Sequence, residues 1–172
     1  MEYWDVYDAD RRKTGRIKAR GEEPAEGEYQ LAVIAWLRNG EGKWLVTRRD
    51  AAKKSYPLVW ETPGGCAMAG EDSITAIMRE IREETGVVLR PEDGRLLRSY
   101  KRGPKPSWEN PGFLDVWVFD ADVPAEQIRL RPGETCAASW ETREGIMRLI
   151  ESGQFTPTKE YPHYIDLFRE YP

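Results

Sequence analysis

Three glutamates, Glu80, Glu83 and Glu84, lie close together in a short charged segment of the sequence. On a helix, which turns about 100° per residue, their side chains would share one strip of the surface. Like charges three or four residues apart each destabilise a helix by roughly 0.2–0.5 kcal/mol. Near the C-terminal end of the helix, the helix dipole adds about 0.3–1 kcal/mol of unfavourable energy for each carboxylate. This arrangement is therefore unfavourable for a helix with a purely structural role.

Two interpretations of this acidic cluster are open. A solvated acidic face is the first, because most charged runs lie at the surface. A bound divalent cation is the second, because it would reverse the sign of each unfavourable term. Oxygen ligands without a nearby His or Cys favour Mg²⁺ or Mn²⁺ over Zn²⁺.

The helix that must carry these glutamates is predicted over residues 73–85. Apolar residues three or four positions apart form one buried stripe on it: Ile74, Ile77, Met78 and Ile81. Asp72 or Ser73 can cap the N-terminus, and Gly86 stands where a glycine that ends a helix belongs. The glutamates are therefore expected to flank the stripe, at the edge of the core.

The same segment completes a longer pattern with fixed spacing. Gly65 is followed after five residues by Glu71, and after seven more by the run REIREETGV at residues 79–87. This pattern resembles the Nudix box, Gly-x5-Glu-x7-Arg-Glu-U-x-Glu-Glu-x-Gly-U with U an apolar residue, and every defined position matches. The resemblance is detailed over residues 65–87, and it extends over residues 29–155 as a coarse order of strands and helices.

The resemblance implies a fold of the α/β class, an α/β/α sandwich with a mixed β-sheet. It also implies hydrolysis of a diphosphate bond in a nucleoside-diphosphate-linked or similar small molecule, with Mg²⁺ or Mn²⁺ as cofactor. The residue types suit this chemistry, because carboxylates alone would repel a diphosphate. A metal ion bridges the two, polarises the phosphoryl oxygens and lowers the pKa of water toward that of a usable nucleophile.

Individual roles follow from the resemblance, position by position. Glu80, Glu83 and Glu84 match the metal-binding carboxylates, and either Glu80 or Glu83 is the catalytic base. Arg79 is expected to orient and neutralise these glutamates and so to belong to the catalytic group. The backbone carbonyl of Gly64, just before the box, is expected to help hold the metal.

Further residues are expected to complete the site. Glu71 is expected to brace the loop against the helix, and Glu134 is the candidate for a metal ligand from a distant loop. The alternative for Glu134 is an exposed loop glutamate. Substrate binding is expected from Tyr100, Arg102 and Trp108, which could stack a base and pair with phosphates. A solvated basic loop is the alternative for these three residues.

The rest of the body predicts a sheet with flanking helices. Residues 29–38 and 43–49 predict a β-hairpin, because a turn signal, Asn39-Gly40, separates them. Residues 50–62 are expected to be irregular, and Pro63-Gly64-Gly65 is expected to interrupt regular secondary structure. Further strands are predicted at residues 96–102, 112–121 and 137–140, and helices at residues 142–153 and 159–170.

Residues 1–28 predict an N-terminal β-hairpin and linker, ahead of a Nudix domain over residues 29–172. This opening resembles a Nudix subgroup related to isopentenyl diphosphate isomerase, which makes such an isomerase one alternative function. The isomerase uses several histidines and a catalytic cysteine, whereas this chain has one His, and Cys66 lacks the expected surroundings. A non-catalytic nucleotide-binding module is the other alternative, although modules of that kind usually lack box glutamates that are all present here.

Composition narrows the classes of partner. The 172 residues contain 26 Lys and Arg against 30 Asp and Glu, a net charge of −4, so a large nucleic-acid interface is not expected. Apolar runs are much shorter than the roughly 18 residues that a membrane helix needs, and a signal peptide is not evident. We therefore expect a cytoplasmic protein without a membrane partner, acting on a small-molecule diphosphate. A homodimer is compatible with the sequence.

Overall fold

The computed structural model describes residues 1–103, 111–157 and 162–172. Its strands are β1 (Tyr3–Tyr7), β2 (Lys13–Ala19), β3 (Gln30–Arg38), β4 (Trp44–Arg49), β5 (Trp60–Glu61), β6 (Gly64–Cys66), β7 (Gly94–Arg102), β8 (Gly112–Asp120) and β9 (Thr135–Glu141). Its helices are α1 (Ser73–Thr85), α2 (Arg143–Glu151) and α3 (His163–Glu170). The helix predicted over residues 73–85 is confirmed at both ends.

The main sheet of the described residues has seven strands and is mixed. Its central path runs β5-β4-β3-β8-β7, while β6 pairs with β3 and β9 pairs with β4. Strand β3 lies parallel to β8 along its whole length, from the pair Gln30–Gly112 to the pair Arg38–Asp120. The other pairs in this sheet are antiparallel. The predicted mixed β-sheet is therefore confirmed.

Apolar side chains on β3 alternate between the two faces of this sheet, as a strand buried on both sides requires. One face packs against α1 through Leu31, Val33, Ala35, Leu37, Ile77 and Ile81. The other packs against α2 and α3 through Ala32, Trp36, Ile146, Leu167 and Phe168. Helices thus cover both faces, and the predicted α/β/α sandwich is confirmed. None of the helices in the described ranges is both long and apolar enough to cross a membrane.

Two local expectations need correction. The turn after β3 is present, since the N–H of Asn39 donates to the carbonyl of Lys43, but β3 and β4 pair only at Arg38 and Trp44. Beyond that pair the strands separate, because β6 takes the neighbouring edge of β3 and β9 pairs with β4. Residues 64–66 form strand β6, so the expected interruption of secondary structure at residues 63–65 was wrong. Gly64 fits there because a Cβ would lie 2.2 Å from the carbonyl oxygen of Val33.

The predicted N-terminal hairpin is confirmed as a separate two-stranded antiparallel sheet, β1 with β2. Its outer strand, β2, is mostly exposed, whereas Trp4 and Val6 on β1 are buried against the rest of the chain. The apolar packing of the hairpin on the main body therefore comes from β1.

His163, at the start of α3, is buried and has a structural role. Its Nδ1 accepts a hydrogen bond of 3.1 Å from Nε1 of Trp36 on β3. Burial lowers the pKa of this imidazole to about 4, against an ordinary value of 6.5. The folded protein therefore binds fewer protons than the unfolded chain between these two values, and its stability rises with pH across this window.

We expect His163 to make the protein sensitive to acid. Its contribution to the free energy of unfolding is complete above pH 6.5, and about 3 kcal/mol of it is lost as the pH falls to 4. Urea unfolding at several pH values checks this. His163→Gln keeps an acceptor for Trp36 without titrating, so its stability should fall less over the same range. Equal pH slopes in the two proteins would contradict this assignment.

Candidate active site

A pocket with a volume of about 370 Å³ opens beside the C-terminal half of α1. Carboxylates reach it from α1 and from the loop before β9: Glu80, Glu83, Glu84 and Glu134. Basic side chains reach it from several separate parts of the chain: Arg20, Arg49, Lys53, Arg79 and Arg131. A concave site that gathers charges from distant segments is the usual form of a ligand-binding pocket.

The ends and the buried stripe of α1 fix the positions of its glutamates. The side chain of Asp72 accepts a hydrogen bond of 2.9 Å from the N–H of Thr75, which settles which of the two candidate residues caps the helix. Gly86 ends the helix at a φ of 73°. Ile77 and Ile81 are fully buried under the sheet, so α1 cannot rotate without exposing them. Its acidic flank is thereby held toward the pocket.

Glu84 is the most deeply placed of the three box glutamates. Its Oε2 accepts a hydrogen bond of 3.2 Å from the N–H of Gly64. Burial raises the pKa of Glu84 well above its ordinary value, and the nearby charges of Glu61 and Glu80 raise it further. A buried carboxylate beside two others is costly unless a cation compensates it.

Glu80 lies over strand β6, where a glycine makes room for it. A Cβ on Gly65 would lie 2.4 Å from Oε1 of Glu80, so any larger residue would displace the carboxylate. Nη1 of Arg79 donates to the same Oε1 at 2.9 Å. Burial raises the pKa of Glu80, and Arg79 opposes that rise.

Glu83 is more accessible than Glu80, with 31% of its side chain exposed against 15%. Nη1 of Arg131, in the segment before β9, donates to Oε2 of Glu83 at 2.8 Å. Nη1 of Arg79 lies 3.8 Å from the same oxygen. The contact from Arg131 thus ties the helix to a loop that the sequence places 48 residues away.

Arg79 connects the glycine-rich loop to α1. Its Nε and Nη2 donate to the two carboxylate oxygens of Glu71 at 2.7 and 2.9 Å, and Nη2 also donates to the carbonyl of Cys66 at 3.0 Å. Oε2 of Glu71 in turn accepts from the N–H of Met68 at 2.8 Å. The guanidinium of Arg79 therefore binds chiefly Glu71. Its distance to Glu83, one helical turn further along α1, is longer.

The NUDIX domain family model matches residues 28–162. The chain belongs to the Nudix family. Enzymes of this family generally hydrolyse nucleoside diphosphate derivatives and generally use divalent metals. An uncharacterised Nudix hydrolase of Listeria monocytogenes is 33% identical over 158 residues, which cover 91% of this chain and 89% of that protein.

Two further similarities differ in extent. The isopentenyl-diphosphate Delta-isomerase of Escherichia coli is 36% identical over 81 residues, covering 46% of this chain and 44% of that protein. The crystal structure of the protein DR0079 from Deinococcus radiodurans superposes with a TM-score of 0.73 at 23% identity, covering 95% of this chain and 97% of that one. The similarity to DR0079 supports the Nudix fold. The similarity to the isomerase is confined to about half of each chain.

Glu134 and a carboxylate that the sequence analysis missed lie near the Nudix-box glutamates. Glu134 lines the pocket and forms an ion pair with Lys53. Glu61 accepts two hydrogen bonds from Nη1 of Arg49, at 3.0 and 2.8 Å. Burial raises the pKa of Glu61, and its charge acts on Glu84. Residues 50–62 were expected to be irregular, whereas Trp60–Glu61 form strand β5, so the sequence offered for Glu61 only its position three residues before Gly64.

The structure does not bring Tyr100 or Arg102, two of the three expected substrate-binding residues, to this pocket. The hydroxyl of Tyr100 donates to Oδ2 of Asp166 on α3 at 2.5 Å, and its ring packs with the apolar cluster under α2 and α3. Arg102 is buried at the end of β7. Neither lines the pocket. Trp108 lies outside the described residues.

The donor set fits a hard divalent cation, although the carboxylates are not arranged as a finished metal cage. Across the described ranges, three or more Asp, Glu, His or Cys side chains nowhere form a ready metal cluster. Glu80, Glu83 and Glu134 instead contact Arg79, Arg131 and Lys53. Gly65 leaves room for one carboxylate, and the charged form of Glu84, which burial disfavours, is one that a cation would stabilise. The oxygen-only set is the type that Mg²⁺ and Mn²⁺ prefer.

We expect Mg²⁺ or Mn²⁺ to raise the melting temperature, because the ion would bind the folded state alone. A hundredfold excess over Kd adds about 2.7 kcal/mol, or roughly 5–11 °C for a chain of this size. Glu84→Gln should melt higher than wild type without metal, since burial and two nearby carboxylates make the ionised form of Glu84 unfavourable, and should show a smaller rise with metal. Differential scanning calorimetry with 0 and about 10 mM metal measures both effects.

Glu23→Gln is the matched control for this measurement. Glu23 is exposed in the segment after the N-terminal hairpin, so this change removes a carboxylate without touching the pocket. The control should keep the full rise with metal. If neither metal changes the melting temperature of the wild-type protein, the metal site is ruled out.

Proposed function

We propose that this protein is a Nudix pyrophosphohydrolase that cleaves a diphosphate bond in a nucleoside-diphosphate-linked or similar small molecule, with Mg²⁺ or Mn²⁺ as cofactor. One observation carries the proposal: Glu80, Glu83, Glu84 and Glu134 converge on a single pocket that basic side chains surround. Carboxylates can hold the metal, and basic side chains can hold the phosphates that carboxylates would repel.

In this proposal, Glu80, Glu83, Glu84, Glu134 and the backbone of Gly64 hold the metal. When bound, the ion would supply positive charge that polarises the phosphoryl oxygens and lowers the pKa of water. The protein orients its ligands through Arg79, whose fork on Glu71 fixes the loop against α1. A geometry fixed in advance is what phosphoryl transfer chiefly requires of a protein.

Proton transfer falls to Glu80 or Glu83. Water adds to a phosphorus atom, the bridging P–O bond breaks, and the carboxylate takes the proton of the water. Glu83 is the more accessible of the two, while Glu80 is held in the groove that Gly65 leaves open. Accessibility to water favours Glu83 as the general base, and a fixed position favours Glu80. Kinetics of Glu80→Gln and Glu83→Gln decides between them.

The size and charge of the pocket suit a small nucleotide derivative. Pockets for small molecules usually measure about 300–1,000 Å³, and this one measures about 370 Å³. Arg131 and Lys53 currently contact Glu83 and Glu134. Both could move to a substrate phosphate once metal neutralises the carboxylates, since each is partly exposed.

A substrate screen tests the proposal. ADP-ribose, NADH, dinucleoside polyphosphates, coenzyme A esters and nucleoside triphosphates are incubated with the protein and Mg²⁺ or Mn²⁺, and the products are separated by ion-exchange chromatography. We expect cleavage at a diphosphate bond of at least one compound, and loss of cleavage with EDTA. If none of these compounds is cleaved with either metal, the proposed function is wrong.

Isomerisation of isopentenyl diphosphate is a second candidate, favoured by the partial similarity to the isomerase and by Cys66 in the pocket. Against it, His163 is the single histidine of the chain and is buried beside Trp36. Formation of dimethylallyl diphosphate, followed by NMR, would establish the isomerase. A third candidate, a non-catalytic module, would bind nucleotide without releasing products in the screen.

A further inference from the structure

The N-terminal hairpin forms one wall of the same pocket. Glu2 just before β1, Tyr3 and Trp4 on β1, and Arg20 just after β2 line it together with residues of the box. These residues precede the segment that the family model matches, residues 28–162. We propose that Arg20 binds an anionic group of the diphosphate substrate and so determines substrate affinity. This inference rests on the proposed function and adds to it a contact from outside the family domain.

The pairing of β1 with β2 places Arg20 at the pocket. Tyr3 pairs with Ala19 at the open end of the hairpin, and the N–H of Arg20 donates to the carbonyl of Glu2 at 2.8 Å. The turn of the hairpin lies at the opposite end. Arg20 therefore projects from the end nearest the glutamates.

Backbone contacts fix this end of the hairpin to the box loop. The N–H of Ala69 donates to the carbonyl of Tyr3 at 2.8 Å, and the N–H of Gly70 donates to Oδ2 of Asp5 at 2.9 Å. Nearer the turn, Nζ of Lys13 at the start of β2 donates to the carbonyl of Glu71 at 3.1 Å. Glu71 is the residue that Arg79 holds, so the hairpin and the catalytic helix share one support.

The other end of the hairpin is anchored to the sheet. Arg11 contacts both carboxylate oxygens of Asp115 on β8, with Nη1 2.8 Å from Oδ1, and Asp115 is buried. Tyr7 and Tyr29 exchange two backbone hydrogen bonds, at 2.8 and 2.9 Å. With both ends held, the hairpin presents Arg20 at a defined position, and substrate binding need not order it.

The guanidinium of Arg20 is available for a ligand. Its side chain is 72% exposed, and its partner Glu2, 2.5 Å away, is 45% exposed. An exposed pair of this kind contributes about 0–1 kcal/mol, which a doubly charged phosphate can outcompete. Arg79, by contrast, is 14% exposed and holds Glu71, Glu80 and the carbonyl of Cys66.

The groups around Arg20 belong to the pocket. The hydrogen bond to Glu2 is the largest cause that raises the pKa of Arg20, burial opposes the rise, and the charges of Glu2 and Glu134 add to it. Cys66 and Glu134 line the same pocket as Arg20, so Arg20 is within the pocket in which a diphosphate would bind in this proposal. Glu2 competes for the same guanidinium, which predicts opposite effects of changes at the two residues.

Steady-state kinetics at saturating Mg²⁺ tests the inference on the most rapidly cleaved compound of the screen. Arg20→Ala should raise KM by about 10-fold, which corresponds to the loss of one charged contact. Because this contact is uniform binding, kcat should stay within a few-fold of wild type. Arg20→Lys should lie between the two, since it keeps the charge and loses the fork. Glu2→Gln should lower KM.

Arg12→Ala is the matched control, because Arg12 sits at the turn of the hairpin and pairs with Asp10 in solvent. It should keep the wild-type KM. A lower KM in Glu2→Gln beside a higher KM in Arg20→Ala is a pattern that a merely structural role of Arg20 would not give. An unchanged KM in both Arg20 variants would overturn the inference and leave the proposed function intact.

Calorimetric binding of methylenediphosphonate, which is not hydrolysed, distinguishes a failure of the Arg20 inference from a failure of the proposed function. In the presence of Mg²⁺, wild type should bind it more tightly than Arg20→Ala and as tightly as Arg12→Ala. If the screen shows no hydrolysis, this difference still supports Arg20 as an anion contact. Equal binding by wild type and Arg20→Ala, or binding by neither, would overturn the inference on its own.

Discussion

Glu83→Gln and Glu80→Gln are each expected to lower kcat by roughly 100-fold or more. Each change keeps the size of the side chain and removes a carboxylate that can bind metal or accept a proton. The fold should survive, because Ile77 and Ile81 hold α1 to the sheet from its other side. The measurement is product release at saturating substrate and metal, compared with circular dichroism of each variant.

The two variants also separate the base from the metal ligands. Of the two variants, the one that loses kcat but keeps the larger part of the rise in melting temperature with Mg²⁺ identifies the general base. The one that loses most of both identifies the glutamate that acts chiefly as a metal ligand. Glu151→Gln, an exposed change at the end of α2, is the control and should keep normal turnover. Near-normal turnover in both Glu80→Gln and Glu83→Gln would contradict a catalytic role for this face of α1.

Local signals in the sequence were sufficient for α1. Its apolar stripe, its Asp72 cap and its terminal Gly86 all act within a few residues of one another, and all are present in the structure. The spacing of the box extended that prediction to chemistry, because residues on one helix face must meet one pocket. The layers of the sandwich followed from the family resemblance and are confirmed by the packing on both faces of β3.

Features that depend on distant pairing were not accessible in the same way. Strand β6 forms because β3 offers it an edge, and nothing within residues 63–65 indicates that edge. Glu61 joins the site because β5 pairs with β4, which carries Arg49. Both are tertiary effects that local propensity cannot report.

The role of the N-terminal hairpin shows the same limit. Its two strands were predicted from alternation, yet its position over the box depends on backbone hydrogen bonds from Ala69 and Gly70. Tyr100 illustrates the reverse case, since its aromatic and basic neighbours suggested a substrate loop. The structure turns it toward Asp166 on α3 instead.

Arg79→Lys is expected to lower kcat and metal affinity together, each by about 10- to 100-fold. Lysine keeps the positive charge but cannot replace a fork that meets both oxygens of Glu71 and the carbonyl of Cys66. The loop would then lose its fixed position against α1, and the ligands on the two elements would no longer be held together. Mn²⁺ titration and turnover at saturating metal measure the two quantities.

Arg82→Lys is the control for this change, because Arg82 is exposed on the same helix and lies outside the pocket lining. It should leave both quantities at wild-type values. In Arg79→Lys, KM at saturating metal should change little, since the committed contacts of Arg79 are within the protein. A raised KM with unchanged kcat and unchanged Mn²⁺ affinity would show that Arg79 binds substrate directly. The support of the box loop would then have to come from the bond of Glu71 to Met68 and from the hydrogen bonds of Ala69 and Gly70 to the N-terminal hairpin.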